Sequence, residues 1–147
     1  MELCSVKDGY YIWKKGELKK IGDYFNTKEF SCQCKHDDCV DQKVSEELIK
    51  RLSTIRYRKQ SPMTITSGFR CKKHQEDIRN SGVSTVVAKV SQHELGNAAD
   101  AQFKSLRIDE WINDAKLYFS YVGIATNFPH MDTRPAKEPG VIVTWKY

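Results

Sequence analysis

Between positions 44 and 55, Val44, Leu48, Ile49, Leu52 and Ile55 recur at helical spacing, with charged and polar residues between them. Ser45 is placed to cap the segment, and Glu46 and Glu47 suit its positive end, so the pattern predicts a helix over residues 45–58. Pro62 then opens a β-prone run, 63–66, that ends at Ser67-Gly68. Residues 72–80 read as helical, with Ser81-Gly82 as the stop. Residues 84–90 read as a loop or short strand. A strand is expected over 98–103, with Ala98, Asp100 and Gln102 on one side, and a second helix over 108–119. Three runs, 122–126, 128–133 and 141–146, read as closing strands. The first 25 or so residues mix aromatic and basic side chains with Gly9, Gly16 and Gly22, as in a hairpin with a wrapping arm. The fold class implied is α+β: a small antiparallel sheet flanked by helices, in a single domain.

Length supports that reading, because 147 residues suffice for one core and hardly for two. We divide the chain into an N-terminal arm or hairpin, 1–23, and the domain proper, 24–147. No run approaches the ~20 apolar residues of a membrane helix. The N-terminal stretch is crowded with charge and has no apolar leader core, so synthesis in the cytoplasm without a signal peptide is expected. The net charge of +5 is scattered, without interleaved stacking aromatics or a helix-turn-helix pattern. Nucleic acid is therefore not expected as a partner, nor is membrane insertion, and a monomer is expected. A nucleic-acid-binding zinc protein would instead show strongly salt-dependent binding.

Candidate chemistry concentrates in two stretches. His93 and Asp100 flank Gly96 and Ala98-Ala99, which permit a turn and close approach. His130 and Asp132 are two apart, hence on the same face of a strand. Imidazole and carboxylate suit zinc, and a catalytic zinc site uses three protein ligands with water in a fourth position. Spacing alone leaves open whether these residues bind metal or are ordinary polar groups.

The motifs Thr66-Ser67-Gly68-Phe69-Arg70, Ser91-Gln92-His93 with Gly96, Ala98, Ala99 and Asp100, and His130-Met131-Asp132-Thr133-Arg134, followed by Trp145, occur in one order and spacing. Together they resemble the D-alanyl-D-alanine carboxypeptidase family of zinc peptidases, especially its short phage-type and bacterial wall-peptidase branch, with a hedgehog-like zinc peptidase fold. Tyr24-Phe25 and Glu29-Phe30-Ser31-Cys32 resemble the lead-in of that branch, so the likeness covers about residues 24–147. It implies one catalytic Zn2+ held by His93, Asp100 and His130. It also implies that Arg70 stabilises an oxyanion or grips a substrate carboxylate, a surface salt bridge being its alternative role. Ser67 and Gln92 are expected to line the substrate or support these groups through hydrogen bonds. The expected substrate is a peptidoglycan peptide, cut by a D-alanine carboxypeptidase or an endolysin-like endopeptidase that meets the wall after release or as part of a virion.

One position departs from the family. Many relatives carry an acid three residues before the last ligand histidine; here it is Asn127, which cannot take a proton from water. Asp132 then either acts as general base or orients His130 and pairs with Arg134, with Glu94 a further candidate base. Otherwise the domain is catalytically impaired and binds wall peptide or a protein partner.

The five cysteines, an odd number, do not form a disulfide framework by the same reading, and reduced thiols are expected. Cys32, Cys34, His36 and Cys39 offer four ligands for a second, structural metal, with Cys71 a potential neighbour. The single residue between Cys32 and Cys34 is tighter than usual zinc spacing. His74 is expected to be structural and Cys4 a lone thiol.

Overall fold

A computed structural model describes residues 1–81, 91–105 and 107–147. The expectation for 84–90, and the glycine of the 81–82 stop, lie outside them. The N-terminal hairpin forms as β1 (Ser5–Lys7) and β2 (Tyr10–Lys14), turning through Asp8-Gly9, both at positive φ. It is no free arm. Strand β5 (Asp41–Ser45), unforeseen in the cysteine-rich stretch, pairs antiparallel with β2 and brings Trp13 opposite Gln42. Between them lie a short ribbon, β3 (Lys20–Ile21) with β4 (Phe25–Asn26), and the single-turn α1 (Thr27–Phe30). Asn26 and Glu29 close α1 as a reciprocal capping box.

Helix α2 (Glu46–Lys59) forms where its pattern predicts. The Ser45 side chain accepts from Leu48 N, and Leu48, Ile49, Leu52 and Ile55 are buried. It ends where Gln60 adopts a left-handed cap, φ 50 and ψ 37, two residues before Pro62. Helix α3 (Lys72–Asn80) is capped by the Cys71 side chain, and α4 (Ile108–Tyr118) buries Trp111 and Ala115.

Five strands make the central sheet: β6 (Met63–Ser67), β7 (Ala98–Phe103), β8 (Tyr121–Ile124), β9 (Pro129–Asp132) and β10 (Val143–Lys146). Their order is β10-β8-β9-β7-β6. The pairs are antiparallel except β10 with β8, which is parallel, so the expected antiparallel sheet is antiparallel-rich with one parallel edge. The last three strands are also shorter than their patterns, since they extend only as far as a partner pairs with them.

Strand alternation sorts the sheet into two faces. Ala99 and Ala101 of β7, Val122 of β8 and Met131 of β9 join Leu48, Leu52, Ile55, Trp111 and Ala115 in one core. Burying each large apolar side chain there contributes about 1.5–3 kcal/mol. The residues between them in sequence, Asp100 on β7 and His130 and Asp132 on β9, are thereby turned to the opposite face. The mixed α+β class follows from this arrangement.

Candidate metal centre

Register puts two of the key side chains side by side. Asp100 pairs with His130 across β7 and β9, and a bulge between Ile65 and Ser67 sets Ser67 opposite Asp100 on the other flank. His93 reaches the same place from the turn before β7. That turn is held by Ser91 Oγ accepting from His93 N, by Gly96 N donating to the His93 carbonyl and by Asn97 N donating to the Gln92 carbonyl. Gly96 sits at φ +76, a conformation in which a side chain is strained. Opposite His130, a Cβ on Gly123 would lie 3.0 Å from His130 Cβ and 3.1 Å from the Trp145 ring, so only glycine lets that ring pack under the histidine.

The hydrogen bonds assign the imidazole nitrogens. His93 Nδ1 is 2.7 Å from the Gly68 carbonyl, which can only accept; Nδ1 therefore carries the proton and Nε2 keeps a free lone pair. His130 has a carboxylate at each nitrogen, Asp132 Oδ2 3.0 Å from Nε2 and Asp100 Oδ1 2.9 Å from Nδ1; with Nε2 giving its proton to Asp132, Nδ1 is the nitrogen that can turn a lone pair on an ion. His93 Nε2 and His130 Nδ1 lie 3.2 Å apart, and Asp100 Oδ1 is 3.3 Å from the first and 2.9 Å from the second. Three acceptors facing one another repel unless a cation or a proton lies between them. All three residues are buried, and their ligand atoms lie within 4.8 Å of one another. Two imidazoles and a carboxylate fit zinc.

The second oxygen of Asp100 is engaged elsewhere. Arg70 donates to Asp100 Oδ2 at 3.2 Å, and the Tyr147 hydroxyl donates to it at 3.1 Å while lying 3.3 Å from His93 Nε2. The Tyr147 ring stacks on His130 at 4.6 Å, and Trp145 meets the same ring edge-on at 5.4 Å. Burial raises the Asp100 carboxyl, but the facing histidines outweigh it and hold its pKa well below the carboxylate range. Burial lowers His93. At His130 the burial effect is overcome by Asp100 and Asp132, and the net shift is upward. Burial, reinforced by Asp100, pushes the Tyr147 phenol up, so it stays an O–H donor.

A family model described as Peptidase M15 matches residues 23–132, which contain the whole triad. The chain belongs to the peptidase M15 family. No curated protein matches it. M15 peptidases use zinc, and His93, Asp100 and His130 of this member make a buried group that can hold it.

Around that group the M15 domain places the other expected residues unevenly. Asp132 is fully buried and does not face the triad's centre. Its Oδ2 meets the outer nitrogen of His130, and Arg134 Nη2 and Nε donate to its two oxygens at 2.9 Å each. Arg134 is itself laid over Tyr121, 4.0 Å from the ring centroid. Arg70 is steered by Ser67, whose Oγ accepts from Arg70 Nε at 2.9 Å. Gln92 is half-buried next to His93; Glu94 lines a groove with Trp13 and Phe69, and Asn127 is exposed in the β8–β9 turn.

The cysteine cluster forms with a different fourth member. Cys71, not His36, joins Cys32, Cys34 and Cys39, all four sulfurs lying within 4.8 Å of one another. His36 turns outward to Asp77, 2.7 Å from its Oδ2, because Cys71 arrives from the start of α3 and takes the inner position. Burial works to raise the Cys34 thiol, but the His36 backbone N–H and the neighbouring thiols reverse this and hold it at about 6. His74 packs against Cys32 Sγ, and Cys4 is separate, donating to the Ile12 carbonyl. Tyr147 is the residue that sequence reasoning missed. Nothing local marks it, although the aromatic-rich end that carries Trp145 was a place to look.

Proposed function

We propose that this M15 domain is a zinc-dependent peptidase that hydrolyses peptide bonds in bacterial peptidoglycan stem peptides or cross-links. The observation that carries this reading is the convergence of one potential ligand atom each from His93 Nε2, His130 Nδ1 and Asp100 Oδ1 at a single buried point. When bound there, zinc polarises the scissile carbonyl and lowers the pKa of its water towards ~7.

The remaining work falls to the chain's own groups. Asp132 fixes the ring of His130 and keeps the proton on Nε2; with both oxygens occupied, it acts through His130 and not on water. Arg70, aimed by Ser67, offers guanidinium N–H groups to a substrate carboxylate or a developing oxyanion. Tyr147 presents an O–H on the same side. Gln92, beside His93, supplies a further polar contact for the peptide backbone. The likeness to the phage-type branch supports a monomer that meets the wall after lysis or as part of a virion.

A second reading rests on Asn127. Among the described residues, the carboxylates hydrogen-bonded to the two histidines are Asp100 and Asp132, each already committed. A zinc-holding domain that binds wall peptide without cutting it fits that observation. Mass spectrometry of muropeptides after incubation with purified peptidoglycan, with zinc or with chelator, separates the two. New fragments that vanish with chelator are expected, and their masses name the bond. Intact muropeptides from several wall types, with folded and zinc-loaded protein, would establish the binding domain instead.

A further inference from the structure

We propose that Cys32, Cys34, Cys39 and Cys71 form a second, structural zinc site, a tetrathiolate that clamps the 31–41 loop to the start of α3. Ligands ~2.3 Å from a tetrahedral ion stand about 3.8 Å from one another. Here Cys34 Sγ and Cys71 Sγ are 3.6 Å apart and the whole set falls within 4.8 Å. The sulfurs thus already outline a shell of nearly the right size.

The surroundings are built for thiolates. Each sulfur accepts at least one N–H: Cys32 from Cys71 N at 3.3 Å, Cys39 from Gln42 Nε2 at 3.4 Å, Cys71 from His74 N at 3.4 Å, and Cys34 from Lys15 Nζ at 3.5 Å. Such donors stabilise negative sulfur and orient it, the part that supporting hydrogen bonds play around a metal. Gln42, itself buried, also accepts from Cys32 N at 2.7 Å, so one side chain holds two of the ligands. Four thiolates this close would require a cation to neutralise them, and Lys15 supplies a single positive charge. An all-sulfur tetrahedral set selects zinc or iron, four sulfurs within 4.8 Å of one another fit a single ion and not a cluster, and we assign that ion as structural zinc.

The ligands also explain how a loop with little apolar content is fixed. Residues 31–40 have no regular secondary structure, yet Cys32 and Cys39 are buried. Cys71 comes from 39 residues beyond Cys32, so the ion ties two distant segments together. Cys71 directly follows Arg70. Phe69 N donates to the Phe30 carbonyl at 2.9 Å, just before the loop, so the clamp holds both ends of the segment that carries Gly68 and Arg70.

Cobalt substitution of the wild-type chain tests the site apart from any peptidase activity, because the His93, Asp100 and His130 group contains no sulfur. Anaerobic loading with Co2+ is expected to produce an intense thiolate-to-cobalt charge-transfer band that zinc abolishes, with four thiols unreactive until the metal is stripped. Cys71→Ser should remove most of the band and lower bound zinc by one equivalent relative to wild type. A folded, metal-loaded protein without the band would overturn the proposal. So would four freely reactive thiols, a Cys34–Cys71 disulfide in freshly reduced protein, or iron as the metal isolated with it.

Discussion

Asp132 Oδ2 stands 3.0 Å from His130 Nε2, while Asp100 Oδ1 stands 2.9 Å from Nδ1 across the same ring. His130 thus has a carboxylate at each nitrogen, Asp132 on the outer side and Asp100 on the side that faces His93. Asp132→Asn removes the charge that favours a proton on Nε2 and so leaves Nδ1 for the metal. Zinc affinity is expected to fall about 10–100-fold, with activity falling in parallel and recovering in part at saturating zinc. A competition titration against a zinc indicator, run beside the activity assay, measures both. Unchanged zinc affinity with lost turnover would make Asp132 the general base.

Tyr147 contributes a ring and a hydroxyl, and Tyr147→Phe separates them. The ring keeps its stacking on His130, while the donor 3.1 Å from Asp100 is lost. If the hydroxyl stabilises developing charge, kcat drops about 100-fold and zinc content stays constant. Equal kcat in the two proteins would reduce Tyr147 to a packing residue.

Gly68→Ala tests the close approach beneath His93. A Cβ there would stand 2.7 Å from Phe30 Cα and 2.9 Å from its carbonyl oxygen, both backbone atoms that cannot rotate away. The strain is expected to cost about 1–3 kcal/mol in denaturant unfolding. It also displaces the carbonyl that fixes the His93 tautomer, so zinc affinity should weaken with stability.

Glu29 gives a pH signature remote from the metal. Burial raises its carboxyl above the ordinary 4.5, although the Asn26 N–H it accepts pulls the other way. The folded state therefore binds the proton more tightly. Its stabilising effect is complete below the unfolded value and is lost as pH rises through the folded one. Glu29→Gln keeps a capping acceptor but cannot ionise. Its stability relative to wild type should rise as pH increases above the ordinary carboxyl value of 4.5, read from urea midpoints at each pH. A pH-independent difference would remove burial as the cause.

The elements of this fold were legible wherever a local pattern sufficed. Helix α2 announces itself through Ser45 and the Leu48, Ile49, Leu52 and Ile55 stripe, and β7 through its alternation of Ala99 and Ala101 with Asp100. Strand β5 was not legible, because residues 41–45 become a strand by pairing with β2, some thirty positions earlier. The parallel edge is similar, since no periodicity in 141–146 tells which way round β10 joins β8.

At the site, the sequence by itself determined which residue types stand at which spacing, and hence the family and the His93, Asp100 and His130 set that it implies. Tertiary structure decided what each atom faces. It turned Asp132 to the outer nitrogen of His130, replaced His36 by Cys71 among the thiols, and brought the Tyr147 hydroxyl to His93 from 54 residues away. The physical reason is range. Strand and helix periods arise from neighbours a few residues apart, whereas the partner of a particular nitrogen or sulfur depends on sheet register and loop closure over distances that local patterns do not encode.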